Sequence, residues 1–374
     1  MTVKYSGPEL KPFITGMADY EIGPLHGIIA HKVPKRWRTQ IPDSSFCWNE
    51  MCSSGIHVDM IIRGPVRLEV AVYEQFGWDH EFAIQRSDGA EVVCHTVPVV
   101  DAGIYKDVDD AGGCALTKAT ATVIDISPIR ESTLTHVSVV LPHRAISEII
   151  AVTADEAVLP EAVSSQDINW THYGSSISQG VSVHNPAKRW TEVVSHQLGL
   201  CLYDLSIAGN AQLDAPVARS IATKEADFIT CSIGINLVNA DSMRERSFVP
   251  ALHGFLDVIR DRQPTTPIML ISACACPIHE TVPGPTYLNE QGKCVAARRD
   301  VECDDGALTL QRTRELMSRV VHARQDPHLS LLDGRSLLGD ADTQYLEDNL
   351  HPNEAGTKLI ADRAALVFRK FLKL

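Results

Sequence analysis

Apolar and polar residues alternate along 66–73. Val66, Leu68, Val70 and Val72 are interleaved with Arg67, Glu69, Ala71 and Tyr73. A period of two sends successive side chains to opposite faces, so this run predicts a strand with its valine/leucine face buried and its other face wet. Residues 135–141 carry β-branched side chains at Thr135, Val137, Val139 and Val140 and stop before Pro142, and a second apolar run covers 146–152. The clusters Ser87-Asp88-Gly89 and Asp109-Asp110-Ala111-Gly112-Gly113 punctuate the region as turns. Strands and turns without long helical stretches predict an all-β sandwich, of jelly-roll or carbohydrate-binding-module type, over residues 1–165.

Near Pro160 the pattern changes, and short apolar runs begin to alternate with helical ones. Strands are predicted at 170–173, 201–205, 228–233, 268–271 and 329–332, and helices at 190–198, 308–321 and 357–372. Phe248, Leu252, Phe255, Leu256 and Ile259 recur at helical spacing on one face. Such alternation predicts an α/β domain over 166–374, a parallel sheet with helices on both faces, which binds ligands beyond the carboxyl ends of its strands. Residues 277–306 form a polar, Pro/Gly-rich interruption too long for a plain connector, and read as a lid-like insertion or mobile loop.

The length agrees with two domains, because 374 residues exceed what one core of about 250–300 residues holds. A formal net charge of -13 repels phosphate backbones, so nucleic acid is not an expected partner. No apolar run approaches the roughly 18–20 residues that span a bilayer, so no membrane partner is expected either. Residues 1–13 contain no apolar stretch of secretory-signal type, and the expected location is cytoplasmic. The ten cysteines are scattered; Cys274 and Cys276 form a C-x-C, with no second Cys/His pair at zinc-ligand spacing. Reduced thiols and no metal are therefore expected, although Cys294 and Cys303 flank a polar loop and could cross-link under oxidation.

Four segments carry candidate chemistry. Gly174-Ser175-Ser176-Ile177-Ser178-Gln179-Gly180 follows the first strand of the α/β region. A nucleophilic serine needs a tight turn that lifts its hydroxyl off the strand end and a free backbone N–H beside it, and small residues supply both; ordinary loops have the same composition. Asp348-Asn349-Leu350-His351-Pro352 places a carboxylate three residues before an imidazole, close enough to fix its tautomer and free its other nitrogen to take a proton. The same segment could cap the last helix, a task Asn353 could also serve. Ala208-Gly209-Asn210 and Gly234-Ile235-Asn236 follow successive strands, where the Gly209 N–H and Asn236 amide could bind an oxyanion or simply make turns and caps.

In chain order these segments read Gly-x-Ser, Gly, Gly-x-Asn and Asp-x-x-His, each at a strand end or at the start of the last helix, where one cleft would collect them. That order resembles the block pattern of the SGNH hydrolases, also called GDSL esterases, over roughly residues 169–374. The resemblance implies a flavodoxin-like three-layer domain. It also implies Ser176 as nucleophile, His351 as base, Asp348 as its orienting carboxylate, and the N–H groups of Ser176 and Gly209 with the Asn236 amide as oxyanion hole. There are two departures: Ser175 and Leu237 stand where the family usually has aspartate, which suggests a changed surround and a less polar pocket.

Residues 173–180, 234–239 and 250–256 further resemble actinobacterial SGNH proteins with an N-terminal β-sandwich, among them salicylyl-type acyltransferases of tetracycline biosynthesis. That likeness implies an aryl acyl group, such as salicylyl, moving from a coenzyme A thioester through Ser176 to a hydroxyl of a polyketide acceptor. Acyl-CoA would then be a co-substrate, with no resident cofactor. Hydrolysis of a carbohydrate or small-molecule ester by the same triad is the alternative. Lys293, Arg298 and Arg299 could meet coenzyme A phosphates, or simply be solvated. His172 and His184 lie near the serine turn in sequence and could touch substrate or be satisfied elsewhere. Ser336, within Gly334-Arg335-Ser336-Leu337-Leu338-Gly339, has the wrong glycine spacing for a nucleophile elbow.

Overall fold

The computed structural model describes residues 2–87, 89–107, 114–130, 134–161, 167–298 and 305–374. The chain divides into two compact units, Met1–Asp167 with His184–Ala187, and Ile168–Val183 with Lys188–Leu374.

The first unit is built from two sheets, of eight and six strands among the described residues. Leu68, Val70 and Val72 on Val66–Glu74 of one sheet share a core with Val58 and Met60 on His57–Ile62, Phe82 on His80–Arg86, and Val137 and Val139 on Thr135–Val140 of the other. Fully burying each such aliphatic side chain contributes roughly 1.5–3 kcal/mol. The alternation expected along 66–73 persists only through Val70. Ala71 and Tyr73, expected to face water, are buried. Trp48 and Met51 on the helix Ser44–Met51, together with Tyr105, cover their face. The Tyr73 hydroxyl donates to one oxygen of buried Glu148 at 2.5 Å, and the other oxygen accepts the N–H groups of Leu25 and Gly27 at 2.8 Å. Asp88 and the turn 109–113 lie outside the described residues.

The second unit has five parallel strands: β1 (Ile168–Gly174), β2 (Leu200–Ser206), β3 (Phe228–Ile233), β4 (Ile268–Ser272) and β5 (Leu329–Leu332). Their spatial order is 2-1-3-4-5, the flavodoxin-like order. The helices are α1 (Ser176–Gln179), α2 (Trp190–Leu198), α3 (Ala215–Thr223), α4 (Ile235–Asn239), α5 (Glu245–Arg260), α6 (Leu310–Arg324) and α7 (Glu354–Leu372). Helices α2 and α7 pack together over one face; α3, α5 and α6 form the group on the other. Because both faces are covered, β4 is buried at every position. Trp170 in β1 centres one core: it stacks on Phe228 of β3 at 5.7 Å and meets Phe368 of α7 edge-on at 5.3 Å.

Within 277–306, Thr286–Leu288 and Cys294–Ala296 pair as an antiparallel hairpin. Arg299 and Cys303 lie outside the described residues, and with them the expected Cys294–Cys303 cross-link. Among the described residues no helix is long and apolar enough to cross a membrane.

Candidate active site

The serine turn is tight for stated reasons. β1 ends at Gly174, where an added Cβ would come within 2.3 Å of Ser178 Oγ and 2.8 Å of His172 Nε2. Ser175 caps α1, its Oγ accepting the Ile177 N–H at 3.3 Å, which gives the residue a use where aspartate is usual in the family. Ser176 is the first helical residue, so its N–H has no partner within the helix. Gly180 ends α1 with φ +82°, and a Cβ there would meet the Arg189 stem at 2.7 Å.

Arg189 is fully buried beneath this turn. Its Nε and Nη2 donate to the carbonyls of Gln179 and Ser178 at 2.8 and 3.1 Å, its Nη1 donates to Glu192 at 3.2 Å, and its Nη2 also pairs with buried Asp204 of β2. Buried charges persist only when paired and hydrogen-bonded in this way. Nothing in the local sequence marks Arg189, because its partners come from three elements.

Ser176 Oγ lies 2.8 Å from His351 Nε2, and His351 Nδ1 lies 2.7 Å from Asp348 Oδ2. The other carboxylate oxygen accepts the N–H groups of Leu350 and His351 at 3.0 and 2.7 Å, folding 348–351 around itself. Burial pushes the Asp348 pKa upward, but these bonds and the His351 charge outweigh it and hold the carboxyl well below its usual range. Asn353, not Asp348, caps α7, its side chain accepting the Gly356 N–H at 3.0 Å, which leaves Asp348 to the imidazole. Asn349 has φ +73°, a conformation asparagine tolerates better than most residues, and its amide donates to the Cys294 carbonyl at 3.1 Å.

Hydrogen bonds link the Gly209 segment to the serine turn, and Asn236 to Ala211 beside the Gly209 segment. Gln179 Oε1 accepts the Ala208 N–H at 2.8 Å, fixing the turn that carries Gly209. Gly209 is the third residue of a turn closed by Asn210 N–H to the Ile207 carbonyl at 3.0 Å, and its φ of +73° suits glycine there. Asn236 Oδ1 accepts the Ala211 N–H at 3.0 Å. That bond orients the amide and leaves Asn236 Nδ2 buried without a hydrogen-bond partner. An orphaned buried donor costs about 1–3 kcal/mol, which a ligand oxygen at this position would recover. Leu237, where the family usually has aspartate, is fully buried.

The insertion hairpin packs along the His351 loop. The Cys294 N–H donates to the Asp348 carbonyl at 2.8 Å, Lys293 Nζ donates to the Glu347 carbonyl, and Cys294 Sγ lies 3.6 Å from Asp348 Oδ2. Burial and the Asp348 carboxylate push the Cys294 thiol up to about 11. Lys293 is thus engaged with the loop, whereas Arg298 is exposed. His172 is a satisfied core residue: Nδ1 lies 2.7 Å from Thr230 Oγ1, Nε2 lies 2.9 Å from Ser178 Oγ, and burial pushes its pKa down to about 4. Exposed His184 lies 3.3 Å from Arg144 Nη2. Ser336 sits in a short 3-10 helix with its hydroxyl donating to the Asp333 carbonyl at 2.7 Å.

The model of the GDSL-like Lipase/Acylhydrolase family matches residues 172–359. No curated protein sequence matches the chain. Among solved structures, the salicylyl-acyltransferase SsfX3 from a tetracycline biosynthetic pathway is similar with a TM-score of 0.74 at 20% identity, over 97% of this chain and 95% of that one. A protein of Bacteroides ovatus ATCC 8483, provisionally assigned as a GDSL-like lipase, gives 0.69 at 16% identity, over 100% and 98%. A family two carbohydrate esterase from Cellvibrio japonicus gives 0.61 at 11% identity, over 100% and 99%. At these identities the likeness is one of fold.

Proposed function

The chain belongs to the GDSL-like lipase/acylhydrolase family and is an enzyme of esterase or acyltransferase type, and from that premise we propose that it is a serine acyltransferase working through Ser176, His351 and Asp348. The observation that carries this reading is the unbroken relay of 2.8 and 2.7 Å contacts from hydroxyl to imidazole to carboxylate. His351 Nε2 takes the Ser176 proton as Oγ attacks the donor carbonyl. The N–H groups of Ser176 and Gly209 and the Asn236 amide receive the oxyanion. The leaving group departs with the proton held by His351, and an acyl-enzyme remains. A hydroxyl acceptor then gives its proton to His351 and takes the acyl group, and His351 returns that proton to Ser176 Oγ as its bond to the acyl carbon breaks.

In this proposal the donor is an aryl acyl-CoA and the acceptor a polyketide hydroxyl, by analogy with the fold-related salicylyl-acyltransferase. Arg298 would meet the coenzyme A phosphates from the insertion. Transfer rather than hydrolysis is favoured where water is kept from the acyl-enzyme. Buried Ser176, buried Leu237 and the hairpin packed on the His351 loop support that side. Hydrolysis of a carbohydrate ester is the second reading, favoured by the fold likeness to family two carbohydrate esterases. A cytoplasmic setting belongs to the proposal and is compatible with the cysteines, none of which forms a disulfide among the described residues.

Enzyme mixed with salicylyl-CoA and a panel of polyketide and sugar hydroxyl acceptors should yield more transfer product than free acid with at least one acceptor. Free acid alone in every mixture would leave hydrolysis as the reaction. Asn236→Ala should lower kcat by about 10²–10³-fold with little change in KM, because an oxyanion contact acts mainly in the transition state. A drop of less than about threefold in steady-state kcat would remove the amide from the oxyanion hole.

A further inference from the structure

We propose that Cys294, Asp348 and His351 form a binding site for a borderline-soft divalent cation such as Zn²⁺, and that occupying it reversibly switches the enzyme off. The effect on turnover rests on the triad reading above; the binding does not. One ligand atom from each residue lies within 4.8 Å of the other two, although Cys294 is 54 residues from Asp348. Zinc takes thiolate, imidazole and carboxylate ligands at about 2.3, 2.0 and 2.0–2.2 Å in tetrahedral geometry, which sets sulfur–oxygen edges near 3.5 Å and nitrogen–oxygen edges near 3.3 Å. The Sγ–Oδ2 separation is already 3.6 Å, and the 2.7 Å Nδ1–Oδ2 contact has to open by about half an ångström.

The backbone holds the thiol in place. Cys294 N–H is bonded to the Asp348 carbonyl at 2.8 Å and the Cys294 carbonyl to the Asn349 amide at 3.1 Å. The side chains of His351 and Asp348 keep 20% and 26% exposure, so a hydrated cation can reach them. Three protein ligands leave a fourth position for water.

The proton balance explains the inhibition. Before binding, the imidazole carries its proton on Nδ1, the thiol carries another, and the carboxylate is ionised. Zinc bonds to Nδ1, Sγ and a carboxylate oxygen; the thiol proton leaves to solvent and the imidazole proton moves to Nε2. Nε2 then donates toward Ser176 Oγ and has no lone pair with which to accept its proton.

The test uses the full-length enzyme in chelator-controlled Zn²⁺, with Co²⁺ as a spectroscopic probe, and compares wild type with Cys294→Ala. Wild type should bind one Co²⁺ with a thiolate-to-metal charge-transfer band and release one proton. It should lose ester turnover on Zn²⁺ addition and recover it with EDTA. Cys294→Ala should lack the band and, measured against its own metal-free turnover, need at least about tenfold more Zn²⁺ for the same fractional inhibition. Equal Zn²⁺ sensitivity of the two proteins, or no thiolate band in wild type, overturns the proposal. A wild type that binds Co²⁺ with the band but turns over no ester would sink the triad reading and leave the metal site standing.

Discussion

Ser176→Ala should lower kcat by about 10⁵–10⁶-fold while KM stays within about threefold, since in the proposed mechanism the hydroxyl oxygen forms the bond to the acyl carbon. His351→Ala should cost nearly as much, and the double variant hardly more than either single one, because the proposal makes hydroxyl and imidazole, 2.8 Å apart, one unit. The small turn around Ser176 is held by Gly174, Gly180 and Arg189, not by the Ser176 hydroxyl, so thermal unfolding of Ser176→Ala should match wild type. A serine-directed fluorophosphonate should label wild type and leave Ser176→Ala unlabelled. Equal labelling of the two proteins would take Ser176 out of the chemistry, whatever its neighbours.

Asp348→Asn is the second large effect, about 10⁴-fold in kcat. The carboxylate does two things with two oxygens. Oδ1 accepts the Leu350 and His351 N–H groups, and Oδ2 accepts from His351 Nδ1. Asparagine retains the first set through its carbonyl oxygen, so the loop should keep its shape. Its amide then points a donor at Nδ1, which forces the imidazole proton onto Nε2, the nitrogen that in the proposal receives the proton of Ser176. Asp348→Ala loses both sets and should also lower the melting temperature, whereas Asp348→Asn should not. If steady-state assays give Asp348→Asn more than a tenth of wild-type kcat, the orienting role assigned to this carboxylate is wrong.

What the sequence discloses follows from which interactions are local. Strand β3, strand β5 and the five buried positions of α5 are readable because periodicity reports burial along a single element. The same rule misassigns Ala71 and Tyr73, since a pattern of two cannot say that a helix 20-odd residues earlier will cover the second face. Asp348 and His351 are three residues apart, so their pairing is visible in the sequence; that Asn353 takes over the helix cap is decided only by where each side chain points. Arg189, Asn349 and Cys294 act through partners that are close in space and not in the sequence. For that reason a search for zinc-ligand spacing passes over Cys294, although its sulfur lies 3.6 Å from Asp348. The unpartnered Asn236 amide is likewise a property of geometry: its sister oxygen is occupied by a backbone N–H from another loop.

The buried guanidinium under the serine turn has a consequence for exchanging segments between relatives. Arg189 answers to Ser178, Gln179, Glu192 and Asp204 together, and stranding one member of such a set costs about 3–5 kcal/mol. Residues 174–206 therefore behave as a single cassette. Chimaeras whose crossover points fall outside it inherit a finished nucleophile mount, while those cut between the serine and the second strand inherit a charge with no counterpart.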